Sequence, residues 1–337
     1  MIGMAVSRMA NCLLVWNGWL SKRMFPFVLA AVLLGLFMPV SDSSLLKLPI
    51  IGLFAYMTFF TGLDTSLREF VKILRRPWLP LWILFLVHGL TPFLAWAVGW
   101  LVFPGDLNTR IGYLVGASIP VGATSIIWTA FTGGNVAVSL VTVTLDTLIA
   151  PVLLPLFFAA LFGQTISVNY TQMAIQLLWM ITIPSLAGML LHDFTHGQLT
   201  IFSKTFGAFT SKLAFLGVVF FNAAVVAPII AWNSALLKIL LSSFFMVAAG
   251  YLIGFAGSFF IKNCPRATAI AMIYSVGLRN VASGLVLALA CFPVRAAVPI
   301  TLFMLYQQPL ATIIPHLLKA VDHRGALEEE QATLLKK

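Results

Sequence analysis

A succession of roughly ten apolar stretches restricts the fold of this chain more than any other feature. Each is long enough, at about 17–25 residues, to cross a bilayer as a helix. We place them at 24–41, 48–67, 78–103, 110–132, 135–162, 172–192, 207–231, 235–260, 266–290 and 294–319. With 61% hydrophobic and 9% charged residues over 337 positions, a soluble domain could not keep this surface from water. The fold class is therefore an all-α polytopic membrane protein, and its first partner is the lipid bilayer. Residues 1–22, with Trp16 and Trp19, are expected as an N-terminal interfacial segment feeding the first span.

Basic residues set the orientation. Lys22, Arg23, Arg68, Lys72, Arg75, Arg76, Lys204, Lys262 and Arg266 fall on one side if the number of spans is even. The opposite loops carry only Lys47, Arg110, Lys238 and Arg295. The positive-inside rule then puts both termini in the cytoplasm of a multi-pass cell-membrane protein, expected in a bacterial inner membrane. The net charge of +10 is spread over these short loops, so it does not point to nucleic acid. Cys12, Cys264 and Cys291 form neither a metal nor a disulfide pattern.

Five spans followed by five give two halves of opposite orientation, 23–162 and 163–319, followed by a cytoplasmic tail at 320–337. That is the arrangement of inverted-repeat transporters, whose sites are marked by broken helices at corresponding positions. Span 4 is interrupted at G-A-S-I-P-V-G-A-T-S, around Pro120 and Gly122, and span 9 at S-V-G-L-R-N, around Gly277. Spans 5 and 10 carry Pro151 and Pro309.

Span 9 also carries Arg279, a cation at a depth where it costs at least about 2.5–3.5 kcal/mol. The best partner by sequence is Asp146, a carboxylate well inside span 5 and about three helical turns past Asn135. The two could pair directly or through water, with the guanidinium's fixed fork of donors well suited to it. Alternatively each is satisfied separately by carbonyls and hydroxyls such as those of Thr142 and Ser275. Asp146 could then carry a proton, or the pair could be a permanent strut in an uncoupled facilitator.

Three stretches resemble the bile acid/sodium symporter family in order and in context. They are F-F-T-G-L-D-T-S-L-R-E-F-V-K-I-L-R-R-P at 59–77, the run from Gly116 to Leu140 with Gly-Asn at 134–135, and S-V-G-L-R-N at 275–280. The resemblance implies ten helices, with spans 4 and 9 crossing in a core domain of spans 3–5 and 8–10. Spans 1, 2, 6 and 7 would form a panel, and an organic anion would bind in the cleft by alternating access. It also implies where sodium would sit, and here the chain departs. Sodium-coupled members have a glutamate at the position of Ser275 and a glutamine at that of Arg279. Ser125 and Ser139 keep their oxygens, but Ile126 and Val143 replace asparagine and threonine, and Val87 replaces another glutamine, with His88 beside it. A hard cation needs several converging oxygens. The usual two-sodium mechanism is therefore not expected, and no other cofactor is.

The expected function is secondary transport of a small or amphipathic organic anion. The substrate candidates are Thr124, Ser125, Arg279, Asn280 (or a capping role for this residue) and, on the panel side, Asn222. The coupling candidates are Asp146, Arg279, Ser139, Ser125, Ser275, His88 and Gln308, with Gln307 lining the core. Sodium-coupled symport and a proton or cation antiporter with a crossed-helix core are the alternatives. An enzyme is not expected, since no nucleophile, H-E-x-x-H or paired-aspartate set is present.

Overall fold

The computed structural model describes residues 13–21, 23–40, 44–67, 78–162, 168–229 and 234–334. The basic loop with Arg68, Lys72, Arg75 and Arg76 lies outside them, as do residues 1–12 of the expected interfacial segment. The described chain is helical: α1 (Leu13–Ser21), α2 (Met24–Phe37), α3 (Ser44–Leu63), α4 (Trp78–Val102), α5 (Leu107–Ser118), α6 (Thr124–Phe131) and α7 (Val136–Phe162) come first. They are followed by α8 (Tyr170–Phe194), α9 (Thr200–Val226), α10 (Ser234–Ser258), α11 (Arg266–Gly277), α12 (Val281–Cys291) and α13 (Ala297–Leu334).

Six helices are long and apolar enough to cross a membrane: α4, α7, α8, α9, α10 and the stretch Val294–Leu318 that includes the start of α13. The remaining four of the ten expected spans are shorter for stated reasons. Helices α2 and α3 have apolar cores below full membrane length. Spans 4 and 9 are each split in two, as α5 with α6 and α11 with α12. Twelve helical residues reach only about 18 Å, so no half can cross alone.

Local chemistry makes the breaks. Ile119 precedes proline and is extended (φ −61°, ψ 155°), because the pyrrolidine ring disfavours helix at the residue before it. Pro120 itself offers no N–H. Leu278 is also extended (φ −106°, ψ 105°), and α12 restarts where the Asn280 side chain accepts from Ser283 N at 3.3 Å. Two wider π turns, Leu86–Leu90 in α4 and Leu178–Thr182 in α8, precede Pro92 and Pro184. Such turns accommodate the ring and missing donor of a proline inside a continuing helix.

The helices pack as two groups. Helices α2 and α3 pack on α9, and α3 also packs on α8; α4–α7 and α10–α13 pack among themselves, with α7 and α12 also meeting α8. The second set holds the most deeply buried elements: most of α11 and nearly all of α12 are inaccessible. Outer faces carry large apolar side chains such as Phe93, Trp96, Trp100, Val152 and Leu156, which suits contact with lipid tails.

Candidate functional site

The two breaks meet. Val121 and Arg279 form an antiparallel bridge, with Gly122 N donating to Leu278 O and Asn280 N donating to Pro120 O, both at 2.8 Å. This exchange satisfies the inward-facing backbone groups freed by the breaks, as a buried main chain requires. Gly122 permits the approach, since a Cβ there would lie 3.0 Å from Arg279 O.

The outward-facing groups of the bridge are closed by side chains from the next helix in sequence. Asp146 Oδ2 on α7 accepts from Val121 N at 2.7 Å. The Gln307 amide on α13, oriented to satisfy both atoms, accepts from Arg279 N at 3.1 Å and donates to Arg279 O at 3.2 Å. Each of these two residues stands ten positions after the first residue of its helix.

The expected contact between Arg279 and Asp146 is not made. Asp146 is fully buried and its second oxygen, Oδ1, takes His88 Nε2 at 2.6 Å. The Arg279 guanidinium turns instead toward α4 and α5, donating to Val87 O at 2.9 Å, to Thr91 Oγ1 and, at 3.5 Å, to Ile119 O. Nor are Thr142 and Ser275 the separate partners: Thr142 donates to Val138 O and Ser275 to Ser139. The reason is geometric. The carboxylate is consumed by a backbone N–H that the break leaves open and by the imidazole on the π turn, while oxygens of α4 and α5 surround the guanidinium.

Ser139 and Ser275, two of the remaining oxygens of the expected ion region, sit together with Thr129. Thr129 Oγ1 and Ser139 Oγ are 2.8 Å apart, and Ser275 Oγ reaches Ser139 at 3.4 Å. Ser125 Oγ is buried with no partner among the described residues.

A cavity of about 140 Å³ opens between the two helix groups at the bridge. Thr124, Arg279, Asn280, Gln307 and Gln308 line it, and Gln308 is held by Trp128 Nε1 at 2.9 Å. The N-termini of α6 and α12 both open onto it, and the positive end of the helix dipole favours an anion there. A second pocket, of about 20 Å³, borders Thr91, Ala117 and Arg279 on the other side of the bridge. Asn222, expected on the panel side of the cleft, does not line the cavity. It is buried in α9, where Nδ2 donates to Val218 O at 2.7 Å. The sequence reading missed Thr58 and Thr61 on α3, Thr65 just past its end, and Thr144 and Thr147 on α7, which also line the cavity. Spacings of three and four on an apolar helix were their signal.

Apolar helices of membrane length, two of their neighbours broken and meeting at a cavity, define a multi-pass membrane protein built like a secondary transporter with discontinuous helices. The model of the sodium bile acid symporter family matches residues 50–230, and the chain belongs to that family. The family is one of transporters, so this chain is read as a secondary transporter with a small substrate. Among its relatives is the uncharacterized protein YbaS of Bacillus subtilis, 31% identical over 280 residues, covering 82% of this chain and 90% of that one. The uncharacterized sodium-dependent transporter YocS of the same organism is 28% identical over 255 residues, 74% of this chain and 76% of that protein. The probable sodium/metabolite cotransporter BASS2 of Oryza sativa, chloroplastic, is 28% identical over 179 residues, 52% of this chain and 42% of that protein.

Proposed function

We propose that this protein carries a small organic anion across the cell membrane by alternating access, without the usual two-sodium site. In this reading ten spans form two inverted five-helix repeats, and both termini are cytoplasmic. Helices α2, α3, α8 and α9 are the panel, and the rest, with the crossed spans 4 and 9, are the core. The equivalent placement of Asp146 and Gln307 on α7 and α13 supports the repeat.

One observation carries the proposal. A permanent cation, the Arg279 guanidinium, lies among Val87 O, Thr91 Oγ1 and Ile119 O where the two breaks meet. Carbonyl and hydroxyl oxygens of this kind are what a sodium ion would require, and a fixed positive charge among them disfavours a second cation. On the cavity side, two helix N-termini and the amide of Gln308 face the space left for substrate. Among the described residues the lining includes no acidic side chain, which favours an anion over a cation.

The test is uptake into proteoliposomes of radiolabelled acetate, lactate, succinate and benzoate, beside neutral and cationic solutes, with and without a sodium gradient. Anion uptake that persists without sodium is the expected outcome. Movement of cations or neutral solutes alone, or uptake strictly driven by sodium, sinks the proposal. A second reading, sodium-coupled symport of the same substrate class, is favoured by the linked hydroxyls of Thr129, Ser139 and Ser275.

A further inference from the structure

We propose that His88 and Asp146 form a proton-binding site that controls the break in span 4, and that this proton is the coupling ion. Only the last step, coupling, rests on the transport reading above.

The pair is placed for this task. Asp146 is fully buried, while the His88 side chain keeps 9% of its surface exposed and is the more accessible member of the pair. Imidazole is the side chain whose ordinary titration falls in the physiological range. With Nε2 donating to Asp146 Oδ1, an incoming proton binds at Nδ1 and the imidazolium then shares its charge with the carboxylate. Two groups held at 2.6 Å take up that proton as a unit, and neither owns it.

The consequence is carried by the other carboxylate oxygen. Asp146 Oδ2 holds Val121 N at 2.7 Å, and Val121 through Thr124 line the substrate cavity. A charged acceptor binds an N–H more strongly than a neutral one. Protonating the pair draws negative charge off that acceptor and loosens the backbone on which the N-terminus of α6 is built. One added positive charge also balances the single negative charge of a monocarboxylate in the cavity.

The surrounding helices bring one other charge close to the pair. Arg279 lies within the field of Asp146 but is bonded to α4 and α5 oxygens. The tyrosines on packed helices are engaged elsewhere: Tyr113 with Ile239 O and Ser242, Tyr251 with Gln307 O, and Tyr274 with Thr132 and Ala311 O. Tyr170 on α8 donates to Phe158 O. Arg110 lies against Gly99, near the far end of α4, and Arg266 begins α11.

Hydrogen–deuterium exchange of the full chain in lipid nanodiscs tests the site without any substrate. It is read on peptides covering 116–131, corrected for intrinsic rate, at about pH 8 and about pH 5.5, which span the range of an ordinary histidine. In the wild-type protein the Val121 segment is expected to exchange about fivefold faster at the lower pH, the difference between a charged and a neutral acceptor. Asp146→Asn is expected to exchange fast at both values. His88→Gln, which can still donate to Asp146 but takes no proton, is expected to stay slow at both. A wild-type segment indifferent to pH, or a response that survives in His88→Gln, overturns the site. In proteoliposomes loaded with a pH dye, carboxylate uptake without proton movement overturns the coupling step alone. Absence of any carboxylate uptake overturns the transport reading and leaves the exchange result standing.

Discussion

Replacing Gln307 with methionine tests whether side chains from α7 and α13 hold the bridge together. Methionine keeps the length and volume of glutamine but has no amide. Arg279 N, inside the most buried part of the protein, would lose its partner at 3.1 Å, and Arg279 O would lose one of two, keeping Val281 N at 2.9 Å. Interhelical hydrogen bonds in membranes average about 0.6 kcal/mol, with a maximum near 1.7. A buried group left wholly unpaired costs about 1–3 kcal/mol. One N–H left unpaired and one carbonyl bond lost together place the loss at about 2–3 kcal/mol. At about 2.1 cal/mol/K per residue, 337 residues convert this to a Tm lower by about 3–4 °C. Intrinsic fluorescence from the nine tryptophans follows the transition in detergent. A Tm unchanged to within about a degree refutes the reasoning, because the bridge would then not depend on the amide.

Three other substitutions have defined outcomes. Gly122→Ala puts a Cβ 3.0 Å from Arg279 O, a backbone atom that cannot turn aside; thermal unfolding should show a loss of about 1–3 kcal/mol. Arg279→Lys retains charge but offers one compact ammonium to acceptors on both α4 and α5, so carboxylate uptake in proteoliposomes should fall about 10-fold or more. Asn222→Leu removes an oxygen that has no partner among the described residues and lies off the cavity; stability should hold or rise by about 1 kcal/mol, and the KM for any transported carboxylate should not change.

The broken helices were legible because their causes are local. Pro120 fixes the residue before it in an extended conformation, and Gly122 marks a close approach. Helix α12 restarts at an asparagine cap whose role spacing alone suggests. Hydropathy likewise marked all six full-length helices. The partners of the buried charges were not legible, because they depend on where side chains point. The π turn at Leu86–Leu90 inserts a residue into α4, and each residue turns the helix face by about 100°. Counting at 3.6 residues per turn from the ends of the helix cannot see that shift, so the sequence names His88 as a coupling candidate without pairing it with Asp146. Asn222 lies off the cavity for the complementary reason. Polarity marks a residue that needs a partner, and Val218 O, one turn away, supplies it without any cleft.

The pseudo-symmetry of the bridge gives the charges their meaning. Both breaks expose one outward edge of backbone, and both edges are closed from the tenth position past the start of the following helix. A glutamine there is neutral and can donate as well as accept, so it serves both groups of Arg279. An aspartate can only accept while ionised, so it serves Val121 N and leaves one oxygen to be satisfied from α4, which His88 does. The second crossover is thus indifferent to protons, and the first has its main-chain geometry tied to a titratable pair. In the proposal above, Arg279 supplies a positive charge that never leaves, and the His88–Asp146 pair is a place where one can come and go. On that proposal, a bridge combining a fixed cation with an exchangeable one would alternate between two charge states without sodium.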